Sequence, residues 1–308
     1  MEKYAVGVDI GGTRTKIGLV NLDKGKVLSM EVSPTEKQDA KKFINTVCCQ
    51  VKKLVGLVPG GASKVEGIGF GVSGFVTADG VVDSTYGFLE FMEDYPLVQI
   101  AENELSLHCI ADNDARVVAL GEAVYGNPDA CRRVLVLTLG TGLGVGFCID
   151  RAFADLQPYG HMAGHISVGG TSSICYCGRA GCLESAVSAT SLHQAVLQHN
   201  SSGLLPIVPA TARQVFTAAS RGHKKAQAIL QDFLTALQCG IDTYINLLAP
   251  DLIIIGGGLS SSLGGYLESL KSEKLLRPFK NYRVRLELSS LRERAGILGA
   301  AALFINKI

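Results

Sequence analysis

VGVDIGGTRTKIGLVN (residues 6–21) and LVLTLGTGLGVGFCID (residues 135–150) follow one plan: an apolar run, a turn of Gly and Thr, and a second apolar run. β-Branched residues suit a pleated backbone and Gly frees a tight turn, so each stretch predicts strand, turn, strand. Two such units at similar length predict two related halves that face a shared ligand. Around the first unit, residues 4–34 read as a meander of three strands, separated by GGTRT and DKGK. Phe43, Ile44, Val47, Val51 and Leu54 fall at helical spacing within 37–57, and EGIGFGV (66–72) returns as a buried strand. Residues 75–108 are turn-rich and then mildly helical, before a short strand, CIAD (109–112), and a helix over 115–124. Around the second unit, 184–249 reads as mostly helical, with an apolar-striped helix at 224–249. DLIIIGGGLS (251–260) then gives strand and turn, and AGILGAAALFINKI (295–308) a closing helix.

The 308 residues are ample for two cores, and no long polar linker separates them. The boundary is therefore expected as a tight hinge at 112–115, with residues 1–112 plus 296–308 in an N-terminal domain and 113–295 in a C-terminal one. A net charge of +1 with 19% charged residues leaves no basic field for nucleic acid or a membrane surface. The expected partner is a small molecule. Apolar runs are broken by Gly, Lys or Asp before the roughly 18–20 residues a membrane span needs. The first residues hold no apolar leader segment, so a cytoplasmic setting is expected. Of nine cysteines, Cys109, Cys131, Cys148, Cys239 and the Cys48–Cys49 pair read as reduced core residues.

Several clusters carry chemistry. In the first unit Asp9 ends a strand and Gly11, Gly12 and Thr13 form the turn. Backbone N–H groups free of Cβ atoms approach a phosphate closely, Thr13 adds a hydroxyl, and Asp9 can hold a hydrated Mg²⁺. An ordinary hairpin would show the same pattern. Thr138, Gly140, Thr141 and Gly142 can fold over phosphates from the second unit, and Gly256–Gly257 can offer bare backbone to an adenine ring. Neither turn is a Walker A loop, because no Gly-Lys-Ser/Thr opens a helix. Lys16 and Arg14 can neutralise phosphate or point to solvent. His165, Cys175, Cys177 and Cys182 have the spacing His-x9-Cys-x-Cys-x4-Cys, a full tetrahedral donor set for a structural Zn²⁺ that would pin the 160–184 loop. The alternative is three free thiols beside an unrelated His. Asn113–Asp114 precede a helix, where they either cap it or supply a carboxylate for an attacking hydroxyl.

Asp9-Ile10-Gly11-Gly12-Thr13, Gly69 to Gly74, Asn113-Asp114-Ala115, Gly140 to Gly144, and Gly164-His165 followed by Cys175 to Glu184 together resemble the ROK family (repressors, open reading frames, kinases). The motifs run in family order across nearly the whole chain. The resemblance implies an α/β chain of the actin/hexokinase-like fold, with two ribonuclease-H-like domains and a central cleft that closes on ATP and a sugar. It implies an ATP- and Mg²⁺-dependent kinase of a sugar or sugar-like alcohol, similar to glucokinases, fructokinases and N-acetylmannosamine kinases. Asp114 would be the general base, and Gly74, Asn113, His165 and Glu184 would bind the acceptor. A homodimer is implied as well.

The acceptor side departs from the pattern. Met162 stands where the family has a sugar-binding Glu, and a thioether replaces an acceptor of two hydrogen bonds. Either a neighbour such as His161 substitutes, or the acceptor is not an ordinary hexose. The segment 84–95 (STYGFLEFMEDY) and RAFADLQPYG (151–160) also lack the usual signals, Arg116 stands where Asn is common, and the chain has no Trp. Two alternatives therefore accompany the kinase: a non-catalytic sugar sensor of the same fold, and a kinase of an unusual polyol or cyclitol.

Overall fold

The computed structural model describes residues 2–84, 89–127, 129, 131–155, 157, 159, 162–169, 173–200 and 211–305, with only the backbone at 199 and 200. His161 and Thr85–Phe88, which the acceptor-side expectations include, lie outside the described residues.

The expected meander is β1 (Tyr4–Ile10), β2 (Arg14–Asn21) and β3 (Lys26–Pro34), joined antiparallel. After α1 (Ala40–Val55), strand β4 (Val65–Val72) joins the other side of β1 in parallel. A small hairpin, β5 (Phe75–Val76) with β6 (Val82–Asp83), and α2 (Leu97–Leu105) follow. β7 (Cys109–Asn113) then pairs parallel with β4 and leads into α3 (Asp114–Tyr125), so the strand order is β3-β2-β1-β4-β7. Asp39 caps α1, its carboxylate accepting from the Lys42 N–H at 3.0 Å. The helix buries the predicted stripe, Phe43, Ile44, Val47, Val51 and Leu54, over β1 and β2.

The second sheet repeats that order with β8 (Arg133–Leu139), β9 (Leu143–Ile149), β10 (Ala152–Phe153), β11 (Leu252–Gly256) and β12 (Arg285–Leu288), arranged β10-β9-β8-β11-β12. The internal repeat read from the sequence is thus a repeat of topology. Helices α4 (Ala189–Asn200), α5 (Ala212–Ser220) and α6 (Lys224–Leu248) precede β11, and the short α7 (Ser260–Leu263), α8 (Leu267–Leu270) and α9 (Glu273–Leu276) precede β12. α6 buries Ile229, Phe233, Leu237, Ile241 and Tyr244, one face of a 3.6-residue period. β10 and β12 escape the sequence reading because the first is only two residues long and charged Arg285 and Glu287 interrupt the second.

Contacts divide the chain into two units. The first comprises Met1–Arg132, Gly146–His161 and Ser290–Ile308; the second comprises Arg133–Val145 and Met162–Ser289. Residues 113–132, 146–161 and 290–295 therefore pack with the N-terminal strands rather than with the C-terminal half. The closing helix α10 (Ala295–Ala302) lies in the first unit and packs on β1, β4 and α3. A Cβ on Gly7 would overlap the Ile297 carbonyl and one on Gly299 the Val117 carbonyl, so this helix sits at backbone contact distance. Two cysteines correct the core assignment. Cys49 and Cys239 are exposed, because each falls on the outward side of its amphipathic helix. Among the described residues no helix is long and apolar enough to cross a membrane.

Candidate active site

In the first unit, register places the polar residues. Asp9 lies opposite Gly71, and Gly71 opposite Asp112, across three parallel strands. Asn113 and Asp114 come one and two residues later, so all three carboxylates gather at the carboxyl ends of parallel strands, where α/β sheets open to ligands. Asn113 is buried and caps α3: its Oδ1 accepts from the N–H groups of Ala115 (2.9 Å) and Arg116 (3.2 Å), while its Nδ2 donates to the Gly74 carbonyl at 2.7 Å. The capping role weighed from sequence is therefore real for Asn113. Its bond to Gly74, a residue held at φ +134°, also ties the β4–β5 turn to the start of α3.

Asp114 opens α3 and is partly buried; its Oδ1 accepts from the Ala115 N–H at 2.8 Å. Burial, reinforced by the charge of Asp9, raises its carboxyl to about 7. Asp9 is itself raised by burial, with the Lys16 ammonium 3.5 Å away pulling in the opposite direction. Lys16 thus turns inward instead of toward solvent. The Gly11–Thr13 turn is braced from outside the sequence motif: Thr35 donates its hydroxyl to the Gly11 carbonyl at 2.7 Å and its N–H to the Thr13 carbonyl at 3.1 Å.

Arg116, buried at 5% exposure, donates Nε to Asp112 at 2.8 Å, and its guanidinium lies 4.4 Å over the Phe153 ring. Burial raises the Asp112 carboxyl, an effect that Arg116 partly offsets. Asp112 and Arg116 stand at i,i+4, whereas Phe153 has no sequence signal of its part in this group, since it lies 37 residues from Arg116 and 41 from Asp112.

In the second unit, Thr138 and Gly256 are register partners at the ends of β8 and β11. Gly257, at φ +82°, sits so tightly on Leu139 that a Cβ would be 2.7 Å from the Leu139 N, and the Leu259 N–H donates to the Leu139 carbonyl at 3.0 Å. The structure thereby brings together two of the Gly loops assigned to nucleotide, 140–142 and 256–258. α4 secures the first of them: the Ala189 N–H donates to the Gly140 carbonyl and the Thr190 hydroxyl to the Thr141 carbonyl, each at 2.8 Å. Gly142 has a local task as well, because a Cβ there would overlap Oε1 of Glu184, which accepts from the Leu143 N–H at 3.2 Å.

The ligand atoms of His165, Cys175, Cys177 and Cys182 all lie within 4.8 Å of one another. The Cys177 and Cys182 sulfurs are 3.7 Å apart, against about 3.8 Å for two thiolates on a tetrahedral zinc with Zn–S near 2.3 Å. The donor set fits Zn²⁺. Local folding produces it: Gly178 at φ +83° closes a turn in which the Gly178 N–H donates to the Cys175 carbonyl (2.9 Å) and the Cys175 N–H to the Arg179 carbonyl (2.8 Å). Tyr244 on α6 steadies the His165 end, its hydroxyl donating to the Ala163 carbonyl at 2.7 Å. Burial, helped by nearby Arg179, lowers the His165 imidazole below its ordinary range. Glu184 is buried beside it, with Oε2 at 3.5 Å from His165 Nδ1. Tyr176, which the sequence reading passed over, places its hydroxyl 3.1 Å from His165 Nε2. Met162 is 43% exposed, and its thioether is at most a weak acceptor.

A family model described as ROK family matches residues 5–307. The chain belongs to the ROK family. Among ROK relatives, a glucokinase of Halalkalibacterium halodurans is 31% identical over 328 residues, covering 98% of this chain and 95% of that protein. A xylose repressor of Caldicellulosiruptor bescii is 26% identical over 312 residues, with 98% of this chain and 78% of the repressor covered. A crystal structure of a ROK family glucokinase from Streptomyces griseus with glucose and AMPPNP superposes with TM-score 0.80 at 24% identity, covering 97% and 98% of the two chains. That likeness gives this ROK chain the actin/hexokinase-like fold, in agreement with the duplicated strand order.

Proposed function

We propose that the protein is an ATP-dependent carbohydrate kinase that transfers the γ-phosphoryl group to a hydroxyl of a sugar or sugar-like alcohol. The observation that carries this reading is the Asp9–Asp114 arrangement. Two partly buried carboxyls stand at the ends of parallel strands, and the one that opens α3 is held near 7. A base poised near the working pH takes a proton efficiently. Asp114 accepts the proton of the acceptor hydroxyl as that oxygen attacks the γ-phosphorus. Asn113 and Gly74, tied to each other, keep the start of α3 in place during the transfer.

The phosphates are assigned to the turns of Gly11 and Gly12 and of Gly140 and Gly142, which the Gly11 and Gly140 N–H groups close on the Arg14 and Gly142 carbonyls (3.1 and 3.0 Å), and to the hydroxyls of Thr13, Thr138 and Thr141, with Lys16 as a counter-charge and Gly256–Gly257 against the adenine. Mg²⁺, held through its water shell by Asp9, would supply charge neutralisation between the β- and γ-phosphates. His165, Cys175, Cys177 and Cys182 would hold a structural Zn²⁺, whose service is to fix the loop that carries Glu184. His165 and Glu184 are assigned to the acceptor from the second unit. The two units correspond in this reading to the two ribonuclease-H-like domains, and the thiolate-rich cluster suits a reducing, cytoplasmic setting. A homodimer is part of the same reading.

The test is ADP release with Mg-ATP against a panel of hexoses, N-acetylhexosamines and polyols; release that depends on one class of alcohol is expected. Met162 and the similarity to a xylose repressor favour a second reading, a sugar-binding sensor without turnover. Thermal stabilisation by a sugar, with no ADP released for any acceptor, would decide for it.

A further inference from the structure

Gly11 and Gly12 let a phosphate approach the backbone closely, but a peptide plane between two glycines is also the freest to turn over. Here that plane is held by the residue that follows β3. The Thr35 hydroxyl donates to the Gly11 carbonyl at 2.7 Å, and the Thr35 N–H donates to the Thr13 carbonyl at 3.1 Å. With its proton committed to Gly11, Thr35 Oγ1 accepts from the Thr15 hydroxyl at 3.0 Å. Both threonines are buried, and a buried hydroxyl that loses its partner is costly, so this arrangement is firm.

A trans peptide sets its C=O and N–H on opposite sides of the chain. The Gly11 carbonyl faces Thr35, so the Gly12 N–H is turned away from it. The Gly11 N–H is spent on the Arg14 carbonyl at 3.1 Å, whereas the Gly12 N–H has no acceptor among the described residues. We infer that Thr35 is a positioning residue for the nucleotide phosphates: its hydroxyl fixes the Gly11–Gly12 peptide so that the Gly12 N–H donates to a phosphate oxygen. Were the plane to turn over, the Gly11 carbonyl would take the place of that N–H and repel the phosphate charge. Thr35 stands 24 residues beyond Gly11, outside the motif that the turn itself forms. The inference rests on the assignment of the Gly11–Thr13 turn to phosphate.

The experiment compares wild type with Thr35→Val, Thr35→Ala, Thr35→Ser and Thr15→Val. Calorimetry reads the Kd for Mg-ADP and for adenosine, ADP release reads the KM for Mg-ATP and for the best acceptor, and Tm is followed throughout. Thr35→Val and Thr35→Ala remove the hydroxyl and keep the N–H. Both should raise the Kd for Mg-ADP and the KM for Mg-ATP about tenfold, with adenosine binding and the acceptor KM unchanged. Thr35→Ser restores the hydroxyl and should match wild type. Thr15→Val removes a buried hydroxyl without touching the Gly11 bond, so it should lower Tm as Thr35→Val does but keep the wild-type KM. A ratio of Mg-ADP to adenosine affinity that is unchanged in Thr35→Val and Thr35→Ala overturns the inference, as does an equal loss of Mg-ADP affinity in Thr35→Ser or Thr15→Val. Wild type that binds no Mg-ADP overturns both the inference and the kinase reading. Mg-ADP affinity that follows the Thr35 hydroxyl, without ADP release from any alcohol, retains the inference and removes the kinase reading alone.

Discussion

A methyl group on Gly296 would lie 2.6 Å from the carboxyl carbon of Asp9, so the closing helix shapes the space in which that carboxylate stands. Gly296→Ala should move Asp9 and cost roughly 1–3 kcal/mol of stability through overpacking. It should also raise the Mg²⁺ concentration needed for half-maximal ADP release. Gly265→Ala, at a position with open space around the missing Cβ, is the control and should behave as wild type. Equal Mg²⁺ dependence in Gly296→Ala and wild type would detach Asp9 from the metal.

The Asp114 carboxyl titrates near 7 in the folded chain, against an ordinary value of 3.8. Between those values the native state keeps a proton that the unfolded chain releases, so this group's contribution to stability is full below about pH 4 and is lost as pH rises through about 7. Asp114→Asn removes that loss. The variant should exceed wild type by about 1–2 kcal/mol at pH 8, allowing for partial solvation, and match it near pH 4. Urea denaturation at the two pH values measures the difference, and a variant less stable than wild type at pH 8 would contradict the burial of this charge.

Arg116 should be hard to replace. Arg116→Leu leaves Asp112 buried beside an apolar chain and should cost roughly 3 kcal/mol. Arg116→Lys should recover little, because a point-charge ammonium reproduces neither the fixed Nε–Asp112 bond nor the planar contact over Phe153. Equal denaturation midpoints for Arg116→Lys and wild type would show that charge alone matters there.

Freshly purified protein should contain zinc at one per chain. Chelation should lower Tm and expose 165–184 to hydrogen exchange, and Cys182→Ser should reproduce both effects. Protein that lacks zinc yet protects this loop equally well would contradict the four-ligand assignment.

Periodicity and turn chemistry made most of the fold legible. The duplicated strand–Gly/Thr–strand units became two sheets with one strand order, and the α1 stripe was buried as spaced. Local sequence could not reveal pairings between distant segments. Thr35 on the Gly11 turn, Gly296 under Asp9 and Phe153 under Arg116 are each set by tertiary packing. The four-donor cluster was readable because its members lie within one loop and share a spacing that metal chemistry requires. Tyr176 was concealed inside that motif, where the flanking cysteines dominate the reading.

The most direct measurement is ADP release by wild type and Asp114→Asn under saturating Mg-ATP and the best acceptor of the panel. Loss of a positioned general base predicts a fall of roughly 10²–10⁴-fold in kcat, with nucleotide binding retained. Equal release by the two proteins would contradict the assignment of Asp114 as the base.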